Sequence, residues 1–326
     1  MDKLKDIILK YQLGDFDINQ LKDNLYPELN KFRGKNNNKN VVMYSYKVSK
    51  YDHVNSHEIN RIEHSISSIR NFNKEIPIYL FCDNIDIIPE HFGTEYNTDI
   101  ICMDSDGFDH NMLNAWSIHR WYNMKYFMDG NYNILYVDSD TIFYNDVNYL
   151  FDTYCSSDIY GREERGFRHC PITGSSKHIR LNLDLVDACI YSSGGKGHVY
   201  KYCCGVLLLN NNLHKSIVSR LDELTEIMSN LKENKMLNPI PNIRILDQYA
   251  IWIMLSRIGA KCGLFGIQDV THSYLETKHE EYLNPIILHY TTMDEQKFAK
   301  SDYRFNNLVR DVSEKGHEID PYSVVA

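Results

Sequence analysis

Short apolar runs bounded by polar turn residues divide this sequence, and between them apolar residues recur at the spacing of amphipathic helices. The runs predict buried strands, and the recurring pattern predicts helices. Strands that alternate with helices indicate an α/β fold with a mostly parallel central sheet flanked by helices, in which ligands bind at the carboxyl ends of the strands. The predicted strands are 40–46, 76–82, 98–103, 134–137, 202–210 and 286–290, and the predicted helices cover 59–69, 115–129, 213–231 and 246–255.

The charge and hydropathy of the chain exclude some partners and locations. With 44 acidic and 35 basic residues among 326, the formal net charge is −9, so we expect no nucleic-acid partner. No apolar run approaches the roughly 18 residues of a membrane span. The apolar run at 7–9 is also too short for the core of a signal peptide. We therefore predict a soluble, cytoplasmic protein.

The two ends of the chain differ from its middle. Apolar residues at the start follow helical spacing, and the polar sequence GKNNNKN at 34–40 is typical of a linker. We predict a helical extension and linker at 1–39, one α/β domain at 40–312 and a tail at 313–326. Within the domain, the stretch 156–196 is predicted to be rich in loops.

The segment ILYVDSDTIF, residues 134–143, places two aspartates inside an apolar run. Asp138 and Asp140 would repel each other in a buried strand end unless a cation lay between them. Oxygen ligands favour Mg²⁺ or Mn²⁺, and either ion also binds diphosphate. The alternative is a pair of turn aspartates that cap a helix, without any metal.

Several segments, in the correct order along residues 40–300, resemble those of glycosyltransferase family 8, the GT-A enzymes that include glycogenin and the lipopolysaccharide galactosyltransferases. ILYVDSDTIF resembles the metal-binding strand end of this family. The other matching segments are VVMYSY at 41–46, SIHRWYNMKYF at 117–127, YCCGVLLLN at 202–210, LDQYAIW at 246–252 and ILHYTTMDEQKF at 287–298.

The resemblance implies a GT-A nucleotide-diphospho-sugar transferase fold and a metal-dependent hexosyltransferase. Asp138, Asp140 and His289 would hold Mn²⁺ or Mg²⁺. That ion would neutralise charge on the departing nucleoside diphosphate. Asp138 would also reach the ribose of the nucleotide, and Lys297 would contact its phosphates. The donor implied is a nucleotide sugar, most simply a UDP-sugar, and the product would keep its anomeric configuration.

The remaining implied roles concern the base and the sugar. Tyr44 or Tyr46 would stack on the base of the nucleotide. Arg120 and Asp247 would bind sugar hydroxyls, and Gln248 would lie near the anomeric carbon. The sequence departs from the family pattern at Cys203, where the family has an asparagine that contacts the sugar. It also lacks the usual glycine after His289.

Each of these residues has a plainer interpretation that the sequence leaves open. His289, Tyr44 and Tyr46 could be core residues, Arg120 and Lys297 surface residues, and Asp247 a helix cap. Two other functions also stay open, namely a catalytically silent domain that binds a sugar nucleotide or glycan, and a phosphatase of the haloacid-dehalogenase type. The sequence does not identify the acceptor, which could be a glycan, a protein or a lipid-linked molecule, and it leaves a homo-oligomer open.

Overall fold

The structure, a computed structural model, describes residues 38–48, 52–103, 115–163, 200, 202–233, 246–266, 269–272 and 285–289, with scattered positions before residue 25. Lys297, the tail at 313–326 and most of the extension at 1–39 lie outside these residues. The predicted boundaries of the domain therefore stay predictions.

From residue 38 onward, ten strands and seven α-helices are assigned within the described residues. The strands are β1 Lys39–Tyr46, β2 Ile78–Cys82, β3 Thr98–Cys102, β4 Tyr132–Val137, β5 Thr141–Phe143, β6 Ile159–Glu163, β7 Tyr202–Leu209, β8 Cys262–Leu264, β9 Val270–His272 and β10 Ile287–His289. The helices are α1 Asp52–Phe72, α2 His91–Thr94, α3 Ala115–Asn123, α4 Asn148–Thr153, α5 Leu213–Val218, α6 Leu221–Glu233 and α7 Leu246–Ile258.

A seven-stranded sheet in the order β3-β2-β1-β4-β7-β6-β8 forms the centre of the protein. Strands β1 to β4 pair in parallel, β7 runs antiparallel to both β4 and β6, and β8 is parallel to β6. The predicted fold class, α/β with a mostly parallel central sheet flanked by helices, is confirmed. Because β2 and β4 lie on opposite sides of β1, the strand order reverses there, and such a reversal opens a crevice at the carboxyl ends of the strands.

Each face of the sheet packs against its own layer of helices. Side chains alternate along a strand, so Met43 of β1 faces the core that contains Trp121 of α3 and Trp252 of α7. Tyr44, the next residue, faces the core that contains the apolar side of α1. That side was predicted from its spacing, and Ile59, Ile62, Ile66 and Ile69 are all buried.

Two predicted helices are interrupted, and one predicted loop contains a strand. The predicted helix 213–231 is divided into α5 and α6, because the Arg220 N–H donates to the Ile217 carbonyl at 3.0 Å, a tighter turn than an α-helix makes. The helix predicted at 115–129 continues beyond α3 as a 3₁₀ turn, Met124–Phe127. The loop prediction for 156–196 is wrong at β6. Among the helices that the structure describes, none combines the length and apolarity that crossing a membrane requires.

A second, three-stranded sheet in the order β5-β10-β9 lies at the end of β4. Strand β10 runs antiparallel to β5 and places His289 opposite Thr141. The pairing of β6 with β7 shifts register between Gly161 and Arg162, so that Gly161 pairs with Leu207 while Arg162 pairs with Cys203. The resulting bulge in β7 leaves backbone groups near Cys204 outside the regular ladder.

Candidate metal and ligand site

The aspartate pair lies directly after β4, at the carboxyl end of a central strand. The backbone N–H of Asp138 donates to the carbonyl of Gly205 at 2.8 Å, which holds Asp138 against the bulge of β7. Its Oδ1 accepts a hydrogen bond of 2.5 Å from the hydroxyl of Tyr136. The apolar run continues after the pair because β5 is itself buried.

His289 completes a cluster with the two aspartates. Strand pairing between β10 and β5 brings it beside Asp140, and its Nε2 lies 3.1 Å from Asp140 Oδ1 across 149 residues of sequence. One ligand atom from each of Asp138, Asp140 and His289 lies within 4.8 Å of the other two. Two carboxylates and an imidazole form a donor set that suits a divalent cation. The residues predicted as metal ligands are thus adjacent, and their donor atoms fit such an ion.

A glycine makes room for the histidine. A Cβ built on Gly205 would lie 2.1 Å from Cε1 and 2.5 Å from Nε2 of His289, far closer than atoms can approach. The imidazole therefore occupies space that only a glycine at position 205 leaves. A glycine inside an apolar strand commonly marks a bulge or a close approach, so the sequence carried a signal for this residue, although we made no prediction for it.

Burial and mutual attraction shift the pKa values of the cluster. Burial opposes the charge of His289, but Asp140 outweighs it and holds the pKa of the imidazole well above its ordinary range. Burial likewise acts to raise the pKa of Asp140, but His289 outweighs it and the pKa is lowered. For Asp138 burial prevails over the attraction of Arg120, so its pKa is raised. The carboxylate charge of Asp140 is thus balanced by the imidazole of His289 beside it.

Arg120 of α3 joins the cluster to the start of α7. Its Nη1 donates to the carbonyl of Cys204 at 2.6 Å and lies 3.5 Å from Asp138 Oδ1, and its Nε lies 3.4 Å from Asp247 Oδ2. The guanidinium also lies over the ring of Tyr136, 4.7 Å from its centroid. Burial opposes the charge of the guanidinium, but the attraction of Tyr136 and the two carboxylates is stronger, so the pKa of Arg120 lies above its ordinary value. At 5% exposed, Arg120 is not the surface residue of the plainer interpretation.

The first turn of α7 directs two buried polar side chains to the same place. Gln248 Oε1 accepts from the backbone N–H of Cys204 at 3.2 Å, so the amide is oriented by the bulge in β7. Gln248 Nε2 and Asp247 Oδ2 have no hydrogen-bond partner within the described part of the chain, although these residues are 5% and 2% exposed. Buried polar atoms of this kind usually have a partner, and a polar ligand would supply one.

The structure does not bring every predicted residue to the cluster. Tyr44 is buried in the core beneath α1, where its hydroxyl lies 2.7 Å from Ser65 Oγ. Tyr46 is also buried and donates to Asn55 Oδ1 at 2.6 Å. Contact with a nucleotide base stays a prediction for both tyrosines, and for Tyr44 it would require the ring to leave this core. Lys297 lies outside the described residues.

One charged residue near the pair was missed by the sequence reasoning. Glu58 of α1 accepts a hydrogen bond of 2.6 Å from the hydroxyl of Ser139, the residue between the two aspartates. A glutamate on a helix 81 residues away carries no mark in the sequence that would connect it with this turn.

Comparisons with known proteins find similarity in structure but not in sequence. No protein-family model matches the sequence, and no curated protein matches it. The structure is similar to that of the apo-form glycosyltransferase GlyE of Streptococcus pneumoniae TIGR4, with 16% sequence identity and a TM-score of 0.46. The likeness covers 86% of this chain and 64% of the other, so this chain spans less than two thirds of the length of that structure.

Proposed function

We propose that this protein is a metal-dependent glycosyltransferase of the GT-A fold that transfers a sugar from a nucleotide-diphosphate sugar to an acceptor. The observation that supports this best is the cluster of Asp138, Asp140 and His289 at the carboxyl end of β4. Its place at the reversal of strand order agrees with a nucleotide site, and the resemblance to glycosyltransferase family 8 agrees with the same residues.

The metal would be held by the carboxylates of Asp138 and Asp140 and by Nε2 of His289. Bound there, Mn²⁺ or Mg²⁺ supplies Lewis-acid stabilisation of a diphosphate leaving group. The chain itself fixes the ligands in advance, because Tyr136 and Gly205 bind Asp138 and strand β10 holds His289. In this proposal Asp138 also accepts a hydrogen bond from the ribose, and Lys297 adds positive charge beside the phosphates.

The sugar would lie against Arg120, Asp247 and Gln248. Asp247 Oδ2 is a buried acceptor that a sugar hydroxyl can satisfy, and Arg120 Nε lies 3.4 Å from it. Because Gln248 Oε1 is engaged by Cys204, the amide presents Nε2 as its donor. The donor would be a UDP-sugar, Tyr46 or Tyr44 would contact its base, and the sugar would be transferred with retention. These finer assignments come from the family resemblance.

A screen of nucleotide sugars with MnCl₂ tests the proposal. The purified protein should release nucleoside diphosphate from at least one nucleotide sugar, and EDTA should abolish the release. Asp140→Asn should lose this activity, whereas Asp222→Asn, on the exposed side of α6, should keep it. Hydrolysis of p-nitrophenyl phosphate without turnover of any nucleotide sugar would indicate a phosphatase and contradict the proposal. Binding of a donor without turnover, in the presence of Mn²⁺ and candidate acceptors, would indicate a silent domain.

A further inference from the structure

Helix α1 binds alternate residues of the segment that carries the aspartates. The hydroxyl of Ser139 donates to Glu58 Oε2 at 2.6 Å, and Thr141 Oγ1 lies 2.8 Å from Ser65 Oγ. Two residues further on, the backbone N–H of Phe143 donates to Ser68 Oγ at 3.0 Å. Glu58 and Ser65 lie on the same side of α1, because seven residues make almost two helical turns. Ser68 follows Ser65 by three residues, so it is the neighbour of Ser65 on the helix surface.

The direction of the hydrogen bonds from Thr141 to Tyr44 can be assigned. The hydroxyl of Thr141 donates to the carbonyl of Asp138 at 2.9 Å, so towards Ser65 it acts as an acceptor. Ser65 therefore donates to Thr141 and accepts from Tyr44, since each hydroxyl has a single proton. The chain of hydroxyls that begins in the core at Tyr44 thus ends on the backbone of the first aspartate.

The turn at 138–140 lies between β4 and β5 and has no strand assignment. The ladder of the sheet therefore does not fix how Asp140 is oriented. The hydrogen bond from Ser139 to Glu58 instead holds the middle residue of the turn against helix α1. Glu58 is fixed in turn by Arg61, whose Nη1 lies 2.9 Å from Glu58 Oε1 with only 5% of the arginine side chain exposed.

We propose that Glu58 and Ser139 are positioning residues of the metal centre, an inference that rests on the proposed function. Their hydrogen bond holds the residue between the two aspartates against α1, so that Asp138 and Asp140 face His289 before any metal binds. Such orientation by residues that do not touch the metal is common, and its loss weakens metal binding. Glu58 acts here through Ser139 and not as a ligand.

Titration of Mn²⁺ followed by electron paramagnetic resonance, without any donor, tests this inference. Ser139→Ala removes the donor but keeps the pair of Glu58 with Arg61, and it should weaken Mn²⁺ binding by about 10-fold. Ser139→Thr, which keeps a hydroxyl, should restore most of the affinity. Ser156→Ala is the matched control, because it removes a serine that lies 2.7 Å from the Tyr160 hydroxyl and should leave binding unchanged. Thermal unfolding of the metal-free proteins should show that all variants are folded.

The outcomes separate this inference from the proposed function. If Ser139→Ala binds Mn²⁺ as tightly as the wild type, the positioning role is wrong while the metal site stands. Weaker binding in Glu58→Gln alone would show that charge and not orientation matters, and would also overturn the inference. Failure of the wild-type protein to bind Mn²⁺ would overturn the proposed function, and the inference with it.

Discussion

Two carboxylates lie side by side at the end of β4, and single residues around them offset their repulsion. Asp140 is balanced by His289, whereas Asp138 is bound by the Tyr136 hydroxyl and lies near Arg120. A buried carboxylate without such partners would take up a proton instead. The arrangement therefore keeps negative charge available at a place where a divalent cation can bind.

Gly205→Ala should displace His289, the third of the proposed metal ligands. The added Cβ would lie inside the imidazole ring, and overpacking of this kind costs about 1–3 kcal/mol. We expect Mn²⁺ affinity to fall by at least about 10-fold, as judged by paramagnetic resonance. Gly93→Ala is the control, since the nearest atom to its Cβ would be 3.9 Å away. Unchanged Mn²⁺ binding in Gly205→Ala would mean that His289 is not a ligand.

Residues of the centre differ in how well the sequence predicts them. The aspartate pair interrupts an apolar run, and His289 stands in a segment that resembles a known family, so both could be recognised. Glu58 acts through a contact with a residue 81 positions away, which no local pattern reports. The glycine within the apolar strand indicates a close approach at Gly205, but only the folded geometry identifies His289 as the group that approaches.

One arginine fixes the C-terminal end of helix α1. The guanidinium of Arg70, in the last turn of α1, donates to the carbonyls of four residues that lead into β2 and β3. The acceptors are Tyr96 at 2.6 Å, Ile76 at 2.8 Å, Asn97 at 2.9 Å and Asn73 at 3.1 Å. This network fixes the helix that also binds the turn of the aspartates.

Arg70→Met should destabilise the protein by about 3 kcal/mol, because it leaves buried carbonyl groups without donors. Urea unfolding monitored by circular dichroism would give this difference. Arg220→Met provides the comparison: its ion pair with Glu223 is exposed, so its loss should cost less than about 1 kcal/mol. Equal effects of the two substitutions would contradict the structural role of Arg70.

Strands were easier to predict than their order and direction. Strands β1, β2, β4 and β7 are apolar enough to be predicted directly, because both of their faces are largely buried. Strand β3 lies at the edge of the sheet and is partly exposed, but its short apolar run still indicates a strand. The antiparallel direction of β7 and its bulge depend on long-range pairing, which a strand pattern does not contain. Strand β6 has the sequence IYGRE, which carries too few apolar residues to indicate a strand. The break between α5 and α6 could not be predicted from the sequence, because the apolar stripe of the helix continues across it.

For the molecule as a whole, one buried histidine makes the free energy of unfolding depend on pH. His214 of α5 is completely buried, and its Nε2 lies 3.2 Å from the Phe127 carbonyl. Burial lowers the pKa of His214 to about 4, partly opposed by this hydrogen bond. The unfolded chain binds a proton near pH 6.5, so between about pH 6.5 and 4 it binds more protons than the folded protein. The contribution of His214 is thus complete above this range and is lost as pH falls through it.

We expect the free energy of unfolding to fall by about 3 kcal/mol from this residue between pH 7 and pH 4. His214→Gln removes the buried imidazole, so it should be less stable than the wild type at pH 7. Because glutamine takes up no proton, the variant should lose less stability on acidification. Urea unfolding at a series of pH values gives the free energy of unfolding as a function of pH for each protein, and the slopes of the two plots can be compared. Parallel pH profiles for the two proteins would show that His214 does not titrate in this way.

Anomalous diffraction from crystals grown with MnCl₂ and UDP would locate the metal centre. We predict a manganese peak within bonding distance of Asp138, Asp140 and His289 Nε2, with the diphosphate against the same ion. Crystals of Asp140→Asn should lack this peak. A manganese peak elsewhere in the molecule, or none at a saturating concentration, would contradict the assignment of these residues as the metal centre of a glycosyltransferase.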